Sequence, residues 1–163
     1  MFPFNDFFQT TKKTTWVNKC KYIIIHHTWG GTYESNCALL SGSKGDVSVH
    51  FVLWPRGQVA KIGQPSNILW HAGKSQWGND IGMNSYALGI EVVWPDKTWK
   101  FTEEQYNALI KLVTYLKATF SIPMFNILRH ADITRDWSKK KILWDWRSVS
   151  RKTDIYRSLR ADR

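Results

Sequence analysis

Short apolar runs separated by polar turns divide most of the chain into predicted strands. Each run is rich in branched aliphatic or aromatic residues and spans about four to eight positions, as buried strands do. The predicted strands are residues 22–26 (YIIIH), 47–54 (VSVHFVLW), 58–62 (QVAKI), 86–93 (YALGIEVV) and 126–129 (NILR). Residues 55–57 (PRG) predict a tight turn, because proline fixes φ and glycine allows the chain to leave the turn, so the second and third runs should form a hairpin.

One long segment has a helical period instead. Apolar residues recur at helical spacing at Tyr106, Leu109, Ile110, Val113, Leu116 and Phe120. Thr102 precedes this stripe and Gln105 follows it by three positions, which is the pattern of a capping box at a helix start. Residues 34–40 and 154–159 predict two shorter helices. Residues 63–85 have no clear period and predict a long surface loop, of a length that often carries function.

Strands and helices mixed in this order predict an α/β fold, with a central mixed β-sheet flanked by helices. A length of 163 residues suits one core, and neither a repeat nor a linker interrupts the pattern, so we expect a single domain over residues 1–163. Residues 1–20 predict an irregular lead-in, because Pro, Asn and Thr occur there without a period. The pattern does not tell in which direction each strand runs.

Composition adds a net charge of +10, with basic residues concentrated late in the chain. Such a surface attracts nucleic acid, anionic membrane or anionic cell wall. No apolar run approaches the ~20 residues needed to span a bilayer, and the first residues lack the features of a signal peptide, so we expect synthesis in the cytoplasm. Cys20 and Cys37 are too few for a disulfide framework; a single disulfide between them is the alternative, and we expect two buried thiols.

Two of the five histidines stand where apolar strands end. His26 closes the first run and His130 follows the last, so their side chains could converge at one edge of a sheet and form half of a zinc site. Two hydrogen-bonded, partly buried histidines would give the same spacing. Glu91 lies within a further apolar run, where burial would raise its pKa towards that of a useful general base. A glutamate that faces water from a strand edge would look the same in sequence.

Six segments, taken together and in order, give a specific resemblance. The segments are residues 22–28 (YIIIHHT), 47–59 (VSVHFVLWPRGQV), 70–73 (WHAG), 84–93 (NSYALGIEVV), 129–134 (RHADIT) and 151–154 (RKTD). The chain thereby resembles the amidase family that includes peptidoglycan-recognition proteins and the muropeptide-recycling amidase. The resemblance implies zinc-dependent hydrolysis of the amide bond between N-acetylmuramic acid and L-alanine in peptidoglycan, with Zn²⁺ as the cofactor.

The same resemblance implies a set of metal ligands. His26, His130 and Asp154 would bind zinc and leave a fourth position for water. In the family the third ligand follows the second histidine closely, so we interpret residues 135–150 as an insertion before Asp154. A competing alignment places residues 139–141 (KKK) at this element and leaves no ligand there, and Asp136 is a further candidate.

The resemblance also implies catalytic roles. Glu91 would act as general base, and Lys152 would stabilise the oxyanion, so that Lys152→Ala should lose most activity and keep its metal. Val49 stands where some members carry a catalytic tyrosine, which places the chain with the branch that uses the glutamate.

Other matching positions are expected around the substrate or in the framework. His71, Asn84 and Ser85 resemble substrate-side residues, although hydrogen bonds that fix a loop would explain them equally well. We expect His50 to be structural and Asp132 to fix the loop after His130. His27 fits either a supporting role near the metal or a surface position.

The leading expectation is a monomeric zinc amidase that acts on peptidoglycan or muropeptides. The alternative is a non-catalytic peptidoglycan-binding module of the same fold, and the presence of the third ligand discriminates the two. Charge and aromatic content alone would also fit a nucleic-acid binder, but no RNA- or base-reading motif supports one, so we expect no nucleic-acid partner. The charge favours a bacteriolytic endolysin, released to the cell wall by a holin, over a cytoplasmic recycling enzyme.

Overall fold

A five-stranded mixed sheet forms the centre of the fold, and a separate two-stranded hairpin lies beside it. The computed structural model describes residues 2–5, 9–10, 14, 16–28, 31–94 and 101–135. In chain order its elements are β1 (Tyr22–Thr28), α1 (Tyr33–Leu40), β2 (Phe51–Leu53), β3 (Val59–Lys61), β4 (Gln76–Trp77), β5 (Asp80–Ile81), β6 (Ala87–Val93), α2 (Glu103–Phe120), β7 (Ile127–Arg129) and the one-turn helix α3 (His130–Ile133). The predicted α/β fold with a central mixed sheet is confirmed.

The strand order is β3-β2-β6-β1-β7, so strands that are distant in sequence are neighbours in the sheet. Strands β2, β6, β1 and β7 all run parallel, and only β3 is antiparallel. The β2–β3 hairpin turns at Gly57, whose φ of 78° lies in the left-handed region that favours glycine. Because β1, β6 and β7 are parallel neighbours, their carboxyl ends meet at one edge of the sheet.

Helix α2 covers one face of this sheet and supplies most of its packing. The buried apolar side chains on the helix are Leu109, Leu112, Val113 and Leu116. They form one cluster with alternate residues of the strands, including Ile23 and Ile25 of β1 and Leu88, Ile90 and Val92 of β6. Each fully buried aliphatic side chain contributes roughly 1.5–3 kcal/mol to folding, so this face is where the helix gains its stability.

The start of α2 matches the predicted capping box. Thr102 accepts a hydrogen bond from the Gln105 backbone at 3.1 Å, and the Gln105 side chain accepts one from the Thr102 backbone at 3.2 Å. The buried Gln105 amide also donates to the Val93 carbonyl at 2.6 Å, and the Thr102 hydroxyl donates to the Pro55 carbonyl. The cap therefore ties the helix start to the end of β6 and to the β2–β3 turn.

The opposite face of the sheet is covered by α1 and by much of the segment 63–85. The expectation of a surface loop there is wrong in part, because Leu69, Ala72 and Met83 are almost fully buried against the sheet. The segment also contains the β4–β5 hairpin and a short 3₁₀ turn at Met83–Ser85. Sequence periodicity missed this burial because the chain follows no regular element for most of the segment.

Several smaller expectations can be compared with the structure. The strand predicted at 47–54 is shorter, since only Phe51–Leu53 pairs in the sheet. Cys20 and Cys37 are both free thiols; Cys37 is buried and Cys20 is half-buried.

Within the described part of the chain, no helix combines the length and the apolar character needed to cross a membrane. The helix predicted at 154–159 lies outside the described residues, as does nearly all of the interpreted insertion at 135–150.

Candidate active site

The parallel sheet brings three of the predicted site residues into one row. His26 and Glu91 are direct register partners in the β1–β6 pair. In the β1–β7 pair Ile25 is level with Arg129, so His130, the next residue, comes level with His26. Neighbouring positions on adjacent strands point to the same face of a sheet. The two imidazoles and the carboxyl group therefore project together from the face opposite α2.

This row lies in a cavity of about 720 Å³. The imidazole, amide and glutamate side chains that line the cavity are His26, His27, His71, Asn84, Glu91 and His130. Asp46, Val47 and the half-exposed Trp70 also line it. The sequence interpretation missed these last three residues as site candidates, although Val47 and Trp70 begin two of the matched segments and Asp46 directly precedes one of them.

The two histidines face each other through their Nδ1 atoms, which are 2.9 Å apart. Their rings are nearly perpendicular, with an interplanar angle of 86°. Two nitrogens held by a tetrahedral zinc ion stand roughly 3.3 Å apart, because each lies about 2.0–2.1 Å from the metal. Opening this pair by a few tenths of an ångström would therefore admit the ion, and His26 and His130 fit a zinc site.

His26 is in the protonation state that a metal ligand needs. Burial, followed by the neighbouring histidines, holds the pKa of His26 well below its ordinary value. The ring is therefore neutral at physiological pH and keeps one nitrogen lone pair. Zinc binds neutral imidazole, so His26 carries no extra proton that the metal would have to displace.

Glu91 is buried beside this pair, and burial raises the pKa of its carboxyl group to about 8. Its Oε2 atom is buried and has no hydrogen-bond partner among the described residues. An unpartnered carboxyl oxygen in the interior is costly, and such atoms are concentrated where chemistry requires them. The structure thus decides between the two interpretations of Glu91 in favour of the buried one.

His71 and Asn84 reach the cavity, but both are held by the protein. Both ring nitrogens of His71 are engaged, one 3.0 Å from His26 Nε2 and the other 3.3 Å from the Ala87 carbonyl. Asn84 Oδ1 accepts hydrogen bonds from the backbone of His71 at 3.1 Å and of Ala72 at 2.8 Å. These contacts fix the loop, as one of the two interpretations of the sequence expects. A role for either residue in substrate binding stays a prediction.

Ser85 follows Asn84 in the 3₁₀ turn and is not among the described residues that line the cavity. Its backbone carbonyl accepts a hydrogen bond from Lys19. Its assignment to the substrate side also stays a prediction.

The remaining histidine and carboxylate near the row support the framework. His50 is fully buried; its Nδ1 accepts a hydrogen bond from Gly89 at 3.0 Å, and its Nε2 lies 3.0 Å from the Asn67 carbonyl. Asp132 accepts from the Arg129 backbone at 2.8 Å and pairs with the Arg129 side chain. The structural expectations for His50 and Asp132 are confirmed.

The residues that the sequence predicts as a third metal ligand or as the catalytic lysine lie outside the part of the chain that the structure describes. Asp154, Lys152 and the weaker candidate Asp136 all lie outside them. Within the described ranges, no group of three or more His, Cys, Asp or Glu side chains could hold a metal ion. The described part of the site therefore supplies two candidate imidazole ligands and one carboxyl group.

Comparison with known proteins agrees with this geometry. The family model for N-acetylmuramoyl-L-alanine amidase matches residues 16–143, which is most of the chain. The chain belongs to this family. The matched region includes His26, Glu91 and His130 and ends before Lys152 and Asp154.

An amidase relative gives the same result at the level of sequence. The N-acetylmuramoyl-L-alanine amidase AmiD of Escherichia coli is 28% identical over 133 residues, which cover 71% of this chain and 46% of AmiD. The chain thus spans about half the length of the curated relatives it matches.

Solved amidase structures share the fold. The E. coli AmiD complex with the substrate anhydro-N-acetylmuramic acid-L-Ala-D-gamma-Glu-L-Lys has a TM-score of 0.63 and 25% identity, covering 75% of this chain and 52% of AmiD. PlyL has a TM-score of 0.73 and 17% identity, covering 94% of this chain and 97% of PlyL. At that identity, the likeness to PlyL shows the fold alone.

Proposed function

We propose that this chain is a zinc-dependent N-acetylmuramoyl-L-alanine amidase that hydrolyses the amide bond between N-acetylmuramic acid and L-alanine in peptidoglycan. The observation that carries the proposal is the pair of facing Nδ1 atoms of His26 and His130 with the buried Glu91 carboxyl group on the same sheet face. The family assignment and the muropeptide bound in the AmiD complex support the substrate class.

His26 and His130 would hold the metal, and Asp154 is the proposed third ligand. A bound zinc ion would supply a Lewis acid and would bring the pKa of water to roughly 7. Glu91 would take a proton from the attacking water and pass it to the leaving nitrogen. A cation close to Glu91 would lower its pKa from about 8 towards neutrality, because an opposite charge favours the carboxylate form. Lys152 would stabilise the charge on the carbonyl oxygen.

The net charge of +10 supports intact cell wall as the target. Intact wall is anionic and extended, so a basic surface increases its local concentration around the enzyme, whereas a small soluble muropeptide gains less from it. We therefore propose a lytic role of the endolysin type, in which a holin gives the enzyme access to the wall.

The decisive experiment is mass spectrometry of the products after incubation with purified peptidoglycan. We expect free peptides that begin with L-alanine and intact glycan strands, with loss of the reaction in chelator and recovery on adding zinc. Running soluble muropeptides in parallel tests the lytic role, which predicts the faster rate on intact sacculi.

Glu91→Gln tests the proposed base, and Glu104→Gln is its control because it makes the same chemical change on the exposed surface of α2. We expect Glu91→Gln to lower kcat by about 10²- to 10⁴-fold while zinc still binds, and Glu104→Gln to match the unmodified protein. Binding to the wall without cleavage, in any metal condition, would refute the hydrolase and would favour a peptidoglycan-binding module.

A further inference from the structure

The buried imidazole of His71 makes a continuous chain of contacts from a backbone carbonyl to the proposed metal site. Its Nε2 lies 3.3 Å from the Ala87 carbonyl, its Nδ1 lies 3.0 Å from His26 Nε2, and His26 Nδ1 in turn faces His130. In each contact one atom donates a hydrogen and the other accepts it. The role of the Ala87 carbonyl is certain, so the donors in the successive contacts can be assigned starting from that carbonyl.

The Ala87 carbonyl can only accept a hydrogen bond, so His71 Nε2 carries the hydrogen. If His71 is neutral, its Nδ1 is then an acceptor and His26 Nε2 must donate to it. The other possibility is a doubly protonated His71. That would place a cation 6% exposed to solvent among the rings of His26 and His50, and burial strongly disfavours such a charge.

From these contacts we propose that His71 is a positioning residue: it orients His26 and holds the hydrogen of that ring on Nε2, so that the Nδ1 lone pair faces His130. This inference rests on the proposed zinc site for its consequence, since a metal needs that lone pair. Partners that fix the tautomer of a metal-binding histidine typically change metal affinity by about 10- to 100-fold. Two engaged nitrogens leave His71 little capacity to contact substrate.

The protein holds the His71 ring in place from two further sides. The Asn84 side chain fixes the backbone at His71 and Ala72 through two hydrogen bonds. The ring lies against Gly89, where an added Cβ would come within 2.7 Å of His71 Cγ. Glycine at position 89, in the interior of β6, is thereby explained, because any side chain there would push the ring away from His26.

The first test is NMR of histidine ring nitrogens in the metal-free protein, which reports which nitrogen of each ring carries hydrogen. We expect hydrogen on Nε2 of both His71 and His26. Hydrogen on Nδ1 of His26, or a doubly protonated His71, would overturn the inference. Because no metal is present, this measurement does not depend on whether the protein is a zinc amidase.

The second test compares zinc affinity, by competition with a chromophoric chelator, in matched variants. His71→Leu removes the acceptor and should weaken zinc binding by about 10- to 100-fold, whereas His71→Asn places an oxygen close to the position of Nδ1 and should recover most of it. Gly89→Ala retains both nitrogens and only displaces the ring, so it should fall between them. Circular dichroism checks that each variant is folded.

The possible outcomes separate this inference from the proposed function. Tight zinc binding by the unmodified protein together with unchanged affinity in folded His71→Leu would overturn the positioning role and leave the amidase proposal intact. A protein that binds no zinc would refute the proposed function, while the nitrogen NMR of the metal-free protein would still decide the tautomer. A variant with unchanged zinc affinity and a raised KM alone would instead identify His71 as a substrate contact.

Discussion

Glu91 is a buried carboxyl group among apolar strand residues. Such a group destabilises a protein when it is charged and has no partner. Its register partner on β1 is His26, and its Oε2 atom has no hydrogen-bond partner among the described residues. Burial raises the pKa of Glu91 to about 8, so the metal-free folded protein keeps this proton at neutral pH. To act as a base, Glu91 would then need a nearby cation that lowers its pKa, so that the carboxyl group loses this proton.

The shifted pKa of Glu91 predicts how stability depends on pH in the metal-free protein. The unfolded chain loses this proton near pH 4.5 and the folded protein near pH 8, so between these values the folded state binds more protons. The contribution of Glu91 to the free energy of unfolding should therefore fall as pH rises through this window, by roughly 1–2 kcal/mol between pH 6.5 and 8. Urea unfolding across that range measures it.

Glu91→Gln removes the titrating group, so its free energy of unfolding should rise relative to that of the unmodified protein by roughly 1–2 kcal/mol between pH 6.5 and 8, while Glu104→Gln should follow the unmodified protein. The buried imidazoles of His26, His27, His50 and His71 act in the opposite direction, because their lowered pKa values leave the unfolded chain binding more protons than the folded protein near pH 6.5. Their contribution is common to all three proteins, so the difference between the curves isolates Glu91. Parallel curves for the unmodified protein and Glu91→Gln would show that the carboxyl group is not buried as described.

At the scale of elements, local hydrogen bonds decide where strands and helices begin. Residues 47–50 look like part of a strand, but the Ser48 and Val49 backbone groups donate to Trp70 and Leu40 instead of to the sheet. The ring of His50 then accepts a hydrogen bond from the Gly89 backbone. Strand β2 therefore starts at Phe51. The start of α2, by contrast, depends on its own residues and was predictable.

The cap of α2 gives a prediction for this element. Thr102→Ala removes the cap and the hydrogen bond to the Pro55 carbonyl, and we expect it to lower the free energy of unfolding by about 1–2 kcal/mol. Thr114→Ala is the matched control, because Thr114 is exposed within the same helix and alanine has the higher helix propensity there. Urea unfolding of both variants measures the difference, and equal stabilities would contradict the role of the cap.

At the scale of the whole molecule, the site depends on segments that are far apart in the chain. Strands β1 and β6, the start of α3 and the segment 63–85 each supply a wall of the cavity. The proposed third ligand comes from still further along, at Asp154. Metal binding should therefore tie these segments together and stabilise the fold as a unit.

Zinc at 100 times its Kd should raise the free energy of unfolding by about 2.7 kcal/mol. We expect Asp154→Asn to remove most of this stabilisation and Asp136→Asn, its matched alternative, to retain it. Thermal unfolding with and without zinc measures the effect. The reverse result would make Asp136 the ligand and would contradict the insertion at residues 135–150, and full stabilisation in both variants would exclude either aspartate as the ligand.

Much of this protein follows from its sequence because the deciding interactions are local. The β-branched run of β1, the apolar stripe of α2 and the Thr102 cap each specify an element without help from distant residues. The short segments around His26, Glu91 and His130 likewise carry the family resemblance. In each element the residues on one face are buried, and this burial sets the spacing of apolar residues along the sequence. That spacing can be recognised from a few consecutive positions.

Tertiary structure decided what depends on distant pairs. The parallel register places His26, Glu91 and His130 in one row, and nothing in the local pattern gives strand direction. Burial of Glu91, the contact between His71 and His26, and the packing of residues 63–85 against the sheet also arise only when separate segments meet. The sequence supplied the chemically active side chains, and the order of parallel strands brought them together on one face of the sheet.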